Sequence, residues 1–160
     1  DEIPAGDYPM SIYAWDYVGI RSNFRLVAIC EEPRIAAELP EYILTASAVD
    51  YSSKLKSEAW DALEERHVRL WQAEKAQHTE STRQVAQYKL ESLKNNYRNR
   101  KLVLERKIAD ALDERIATMH RSELEGATQR YQQKVAEIEA KIAKADIHTT
   151  LIANGVITVR

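Results

Sequence analysis

Residues 54–145, KLKSEAWDALEERHVRLWQAEKAQHTESTRQVAQYKLESLKNNYRNRKLVLERKIADALDERIATMHRSELEGATQRYQQKVAEIEAKIAKA, hold one glycine, Gly126, and no proline. All four prolines fall in the first forty residues. The stretch is rich in Ala, Leu, Glu, Lys, Arg and Gln, side chains that lose little freedom on entering a helix. As one straight helix it would run about 138 Å at 1.5 Å per residue. It must therefore fold back on itself or extend as an arm.

Within this block, Leu55, Ala59, Leu63 and Leu70 recur at helical spacing. Residues 72–84 (QAEKAQHTESTRQ) then offer only two alanines as apolar groups. Spacing returns with Ala86, Leu90, Leu93, Tyr97, Leu104, Ile108, Leu112, Ile116 and Met119. The last section, Leu124, Tyr131, Val135, Ile138, Ile142 and Ala145, settles into the steps of a coiled-coil seam, and Tyr97 continues the seam. Ser52 or Ser53 can cap the first helix. Two placements of the turn are open. One lies in the Asn-rich residues 95–100 near Asn99, because asparagine tolerates left-handed backbone, and gives a hairpin of two equal arms. The other puts turns at residues 78–82 and 120–123, where Ser81-x-x-Gln84 and Ser122-x-x-Glu125 match a capping box, and gives three helices.

The flanks read as β structure. Residues 11–20 (SIYAWDYVGI) alternate, with Tyr13, Trp15 and Tyr17 on one face and Ile12, Ala14, Val18 and Ile20 on the other. An aromatic face of this kind usually packs on a helix and less often serves as a ligand platform. Residues 24–30 (FRLVAIC) form a second strand close enough for an antiparallel hairpin. Pro33 suits the first turn of a short helix over 33–39, and residues 42–49 make a weaker strand candidate. At the C-terminus, Asn154-Gly155 between β-formers predicts a hairpin turn, with one kinked strand as the other option. Pairing the two ends would close a small base. The expected class is α+β: a small antiparallel base (residues 1–50 and 147–160) carrying a long antiparallel helical coiled-coil arm (residues 51–146).

Composition bounds the function. The 160 residues are 44% hydrophobic and 30% charged, as in one ordinary domain with a solvated helix. No run approaches the eighteen or so apolar residues of a membrane span, and no signal peptide is visible. The single cysteine, Cys30, lies in an apolar run, reads as a small buried hydrophobe and fits a reducing cytoplasm. The chain opens on Asp1 and is read as part of a larger polypeptide. No phosphate loop or dinucleotide fingerprint can be built from four glycines so placed. His67, His78, His120 and His148 are scattered without metal-ligand spacing and read as polar-face residues. Asp110, Asp113 and Glu114 stand near Arg106, Lys107 and Arg115, so ion pairing within a helix accounts for them better than an acid pair. Neither catalysis nor a metal or cofactor is expected.

The net charge of −2 conceals an uneven distribution. Residues 1–50 carry three basic and nine acidic side chains, whereas residues 83–107 carry eight basic and two acidic ones. Lys89, Lys94, Arg98, Arg100, Lys101, Arg106 and Lys107 are thus the candidate contacts for nucleic acid or for a partner protein bound to it. With a turn at Asn99, several of them would crowd its tip. The opposing reading is a solvated helix face and an interaction module that dimerises or docks through its seam.

Residues 113–119 (DERIATM), 131–142, 144–148 (KADIH) and 152–156 (IANGV) resemble the region that follows the motor in bacterial SWI/SNF-type (RapA/HepA-like) ATP-dependent helicases. Residues 24–30 are compatible with that layout. The resemblance implies a β-containing segment with long coiled-coil helices, placed after two RecA-like lobes that bind ATP. It implies a non-catalytic accessory part of a DNA translocase, since no motor motif occurs in this chain. It points to no particular binding residues.

Overall fold

A computed structural model describes residues 3–43 and 57–159. Their elements run β1 (Gly6–Val18), β2 (Asn23–Cys30), α1 (Pro33–Ile43), α2 (Ser57–Ala109), α3 (Glu114–Ala143) and β3 (Asp146–Val159). The class is α+β, with one three-stranded antiparallel sheet ordered β2-β1-β3. The chain divides into two compact units, one of residues 1–78 with 146–160 and one of residues 79–145. Residues 57–78, expected to belong to the arm, therefore group with the sheet. Tyr42 and Ile43 end α1 rather than begin a strand. The rest of that strand candidate, Leu55 and the two serine caps lie outside the described residues.

Strand alternation builds the sheet unit. Residues directly opposite in an antiparallel pair share a face, so Tyr13, Trp15 and Tyr17 stand with Val27 of β2 and Ile147 of β3. That face is the core: Tyr13, Trp15, Tyr17, Ile29, Leu63 and Ile147 are all buried, and Val27, Trp60 and Trp71 pack against them. The aromatic stripe is filled by α2 and is not a ligand platform. On the other face Ile12, Ala28 and Cys30 are buried too, and α1 runs along β2. Burial raises the Cys30 thiol above its ordinary range, as befits a packed hydrophobe rather than a nucleophile. Pro9 pairs with Val156 beyond the last β1–β2 pair, Met10 with Cys30, so its missing N–H costs no bond to β2.

The first half of the polar stretch, residues 72–78, is explained by this unit. Tyr17 donates its hydroxyl proton to Glu74 at 3.1 Å, Lys75 pairs with Asp146 at 2.8 Å, and His78 meets the Val18 carbonyl at 2.9 Å. Here α2 is attached to the sheet by polar side chains, so no apolar seam is required. Just before this stretch, Trp71 donates its indole N–H to the Ile147 carbonyl at 2.8 Å.

β3 is one strand of 14 residues, so the Asn-Gly hairpin does not form. Gly155 pairs with Met10, and a Cβ there would come within 2.9 Å of the Met10 methyl. Ser11 donates to the Asn154 side chain at 2.8 Å. Thirteen residues of β1 are available for pairing, and continuous pairing outcompetes a local turn. The kinked alternative is the observed one: the register shifts between Ile12 and Tyr13, leaving Ile152 without a partner.

In the second unit the chain turns once, between Ala109 and Glu114. Both expected placements are wrong: residues 95–100, 78–82 and 120–123 are all helical. Asp113 sets the turn. Its backbone is extended (φ −114°, ψ 127°) and its carboxylate accepts the Arg115 N–H at 2.8 Å. A carboxylate capping a helix N-terminus is the stronger signal, whereas Asn95, Asn96 and Asn99 give up little on staying helical beside Leu93 and Tyr97. Asp113→Ala is expected to cost this unit about 1 kcal/mol, measurable as a lowered urea midpoint. An unchanged midpoint would remove the cap from the explanation of the turn.

Candidate nucleic-acid interface

α2 and α3 run antiparallel within the second unit, as the side-chain pairs between them fix. Tyr97 bonds Thr128 through their hydroxyls at 2.8 Å, its ring stacks on Tyr131 at 4.4 Å between centroids and 6° between planes, and Arg100 bonds Glu123 at 2.6 Å. Small or apolar groups close the seam, with Ala86, Leu104, Ala117 and Ala127 buried. Tyr97 is therefore a seam residue, as its spacing predicts.

The seven candidate cations do not gather at a tip. They lie along α2 with the turn beyond them, and helical geometry sorts them by side. Arg100 lines a groove between the helices together with Leu93, Asn96, Tyr97, Ala127, Arg130, Tyr131 and Lys134, with a volume of about 260 Å³. A second groove of about 320 Å³ is lined by Asn99, Arg100, Val103, Leu104, Lys107 and Glu123, and shares Arg100 with the first. Seven residues make nearly two helical turns. Lys89 precedes Asn96 by seven and Lys141 follows Lys134 by seven, so both fall on the same flank. Two residues turn a side chain by about 200°. Lys94, Arg98 and Lys101, spaced i, i+4, i+7, accordingly form a separate stripe. Arg106 follows Asn99 by seven and so falls beside the second groove without lining it.

The two grooves thus bring together two of the expected cations, Arg100 and Lys107, with Arg130 and Lys134 from α3, and seven-residue spacing puts Lys89 and Lys141 on the same flank. The α3 members escape a windowed charge count because acidic neighbours such as Glu137 and Glu139 dilute them. Their spacing of four and seven residues is the signal that marks one helical face.

Local ion pairs differ between the stripes. Glu123 is the one carboxylate lining the two grooves. It is shared between Arg100 and His120, whose Nδ1 lies 3.5 Å from it. Lys101 faces Glu105 at 3.7 Å, an exposed pair worth little in water. Glu114, expected to pair within its own turn, instead meets Arg121 at 2.6 Å.

The histidines divide. His67, expected on a polar face, is 3% exposed in the sheet core. Its Nε2 accepts the Trp15 indole N–H at 3.1 Å and lies 3.0 Å from the Thr149 hydroxyl, and its ring stacks on Tyr13 at 3.4 Å. Burial holds its pKa below the ordinary histidine value. The neutral ring is a core member.

Among the described residues no three His, Cys, Asp or Glu side chains come close enough to hold a metal. No helix among them is long and apolar enough to cross a membrane. Comparison with family models, curated proteins and solved structures returned no match.

Proposed function

We propose that residues 79–145 contact nucleic acid, directly or through a protein bound to it, as a non-catalytic accessory part of a larger DNA-handling protein. One observation carries the reading: Arg100 and Lys107 from α2 and Arg130 and Lys134 from α3 line two grooves that contain a single carboxylate. A linear row of cations suits a phosphate backbone, whereas isolated surface pairs do not. The helicase resemblance agrees with this role and assigns any ATP chemistry to motor lobes elsewhere in the parent.

The test is a titration of labelled single-stranded and duplex DNA at two salt concentrations. Arg130→Glu with Lys134→Glu is expected to weaken binding strongly and to lower the salt slope by about one for each phosphate that is no longer neutralised. Lys94→Glu with Arg98→Glu, on the separate stripe, is expected to have the smaller effect. Equal effects from both pairs would reject the groove, and no binding by the unaltered chain would reject the function.

A second reading rests on exposed apolar side chains around the turn. Leu112 is 105% exposed, and Leu102, Val103, Ile116 and Met119 are each about half exposed. Exposed apolar side chains of this size are the raw material of protein-binding surfaces, and they support an interaction module whose helices associate. Light scattering on Leu112→Lys with Met119→Lys separates the readings, because only the second requires those side chains.

A further inference from the structure

β3 is an edge strand, and its two ends differ. At the start α2 covers it, with Trp71 on the Ile147 carbonyl and Lys75 on Asp146. From Thr150 to Asn154 five consecutive residues are exposed, including Leu151 at 49% and Ile152 at 57%. Among the described residues β1 alone pairs with β3, so alternate N–H and C=O groups of this stretch face away from any strand.

Proteins normally blunt such an edge with lysine, proline, an inward charge or brevity. β3 uses none of these: residues 149–159 include no charged side chain and no proline, and the strand is more than twice the usual five or six residues. Its one irregularity, at Ile152, leaves residues 153–159 in regular register. The opposite edge differs, since β2 is eight residues long, carries Arg25 and has α1 along it.

We propose that β3 pairs antiparallel with β3 of a second copy about a two-fold axis, making one continuous sheet of six strands, β2-β1-β3 followed by its mate in reverse. The composition of the strand selects this occupant. A two-fold axis sets each residue of the strand opposite another residue of the same strand, so a charge close to the axis would meet its own kind. With the axis near Asn154, Thr150 meets Thr158 and Ile152 meets Val156, and Asp146, the one acid in β3, stays outside the pairing at the end that α2 covers. No like charges are opposed, and Leu151, Ile152 and Ala153 of both copies are covered together.

Sedimentation velocity of the 160-residue chain over a range of concentrations is expected to show a reversible dimer. Amide hydrogen exchange is expected to slow across residues 150–158 as the dimer fills. Ile152→Lys, at an exposed position, is expected to weaken dimerisation by about tenfold or more while circular dichroism stays unchanged. Leu151→Lys is the second variant, should the first disturb the sheet. A monomer at all concentrations overturns the proposal. So does a dimer that survives both lysines or dissociates instead with Leu112→Lys and Met119→Lys, since association would then run through the helices. DNA binding of the monomeric Ile152→Lys chain is read separately, so loss of the dimer and loss of the groove's function are distinguishable.

Discussion

Replacing Trp15 with alanine is expected to cost the sheet unit about 3–5 kcal/mol, the usual range for emptying a buried aromatic site. The side chain is 3% exposed and lies in the cluster that joins Tyr13, Tyr17, Ile29 and Ile147 of the sheet to Leu63 of α2. Its loss removes packing from strand and helix together and strips His67 of the indole N–H. Small domains are stable by about 5–15 kcal/mol in total, so this change alone consumes much of the margin. Trp15→Phe separates the two parts. It keeps most of the ring but removes the donor, and Thr149 remains beside His67 Nε2 at 3.0 Å. Its cost should therefore stay near 1 kcal/mol, about the net worth of one neutral hydrogen bond. Urea unfolding followed by circular dichroism measures both, and hydrogen exchange locates the loss. A Trp15→Ala cost below about 1 kcal/mol, the scale of an average substitution, would show that the cluster does not hold the sheet to α2.

The α+β class and the joining of the chain ends by strand pairing were legible because each rests on a local period. Alternation over residues 11–20 puts three aromatics on one side, and a sheet that buries one side needs a helix there. The position of the helical turn was not legible, because competing end signals are nearly equal in strength. Ser81, Ser122 and the asparagines at 95–99 each carry a reason to stop a helix. Only the pairing of Tyr97 with Tyr131 and Arg100 with Glu123 makes Asp113 the cap that is used. The seam also falls silent over 72–78 for a reason that alternation cannot report, namely that Glu74, Lys75 and His78 bind strand ends far away in sequence.

The candidate site was half legible. A charge window finds the α2 cations because they are concentrated. It cannot divide them into Lys89, Arg100 and Lys107 on one flank and Lys94, Arg98 and Lys101 on another until the seam direction is known. Nor can it find Arg130, Lys134 and Lys141, whose helix is nearly neutral overall. A groove between two helices belongs to neither sequence segment alone. The Asn-Gly pair of β3 misleads for the same reason: a local turn signal has no view of the 13-residue partner strand that overrides it.

Acid should loosen the sheet unit through His67 before carboxylates begin to titrate. In the fold the ring is buried and accepts a hydrogen bond at Nε2, both of which favour the neutral form. Its folded pKa is depressed by that burial, whereas in the unfolded chain it returns to about 6.5. Below that value the unfolded chain takes up a proton that the fold refuses, so stability is complete above about pH 6.5 and declines as pH falls toward the folded pKa. Asp146 adds a second loss at lower pH. The hydrogen bond from Lys75 lowers its pKa, so its contribution is present above the usual carboxylate range near 3.9 and vanishes as pH falls through the folded value. Urea midpoints taken from about pH 8 down to about pH 2, a range that passes both reference values, should therefore descend in two stages. His67→Leu removes the upper stage and, by leaving the Trp15 indole without its acceptor, costs about 1–3 kcal/mol at neutral pH. A His67→Leu chain that retains the full decline between about pH 7 and pH 5, the window below the ordinary histidine value, would transfer the acid sensitivity to another group. The opposite result ties the sheet's acid response to a side chain that the sequence alone places on a solvated face.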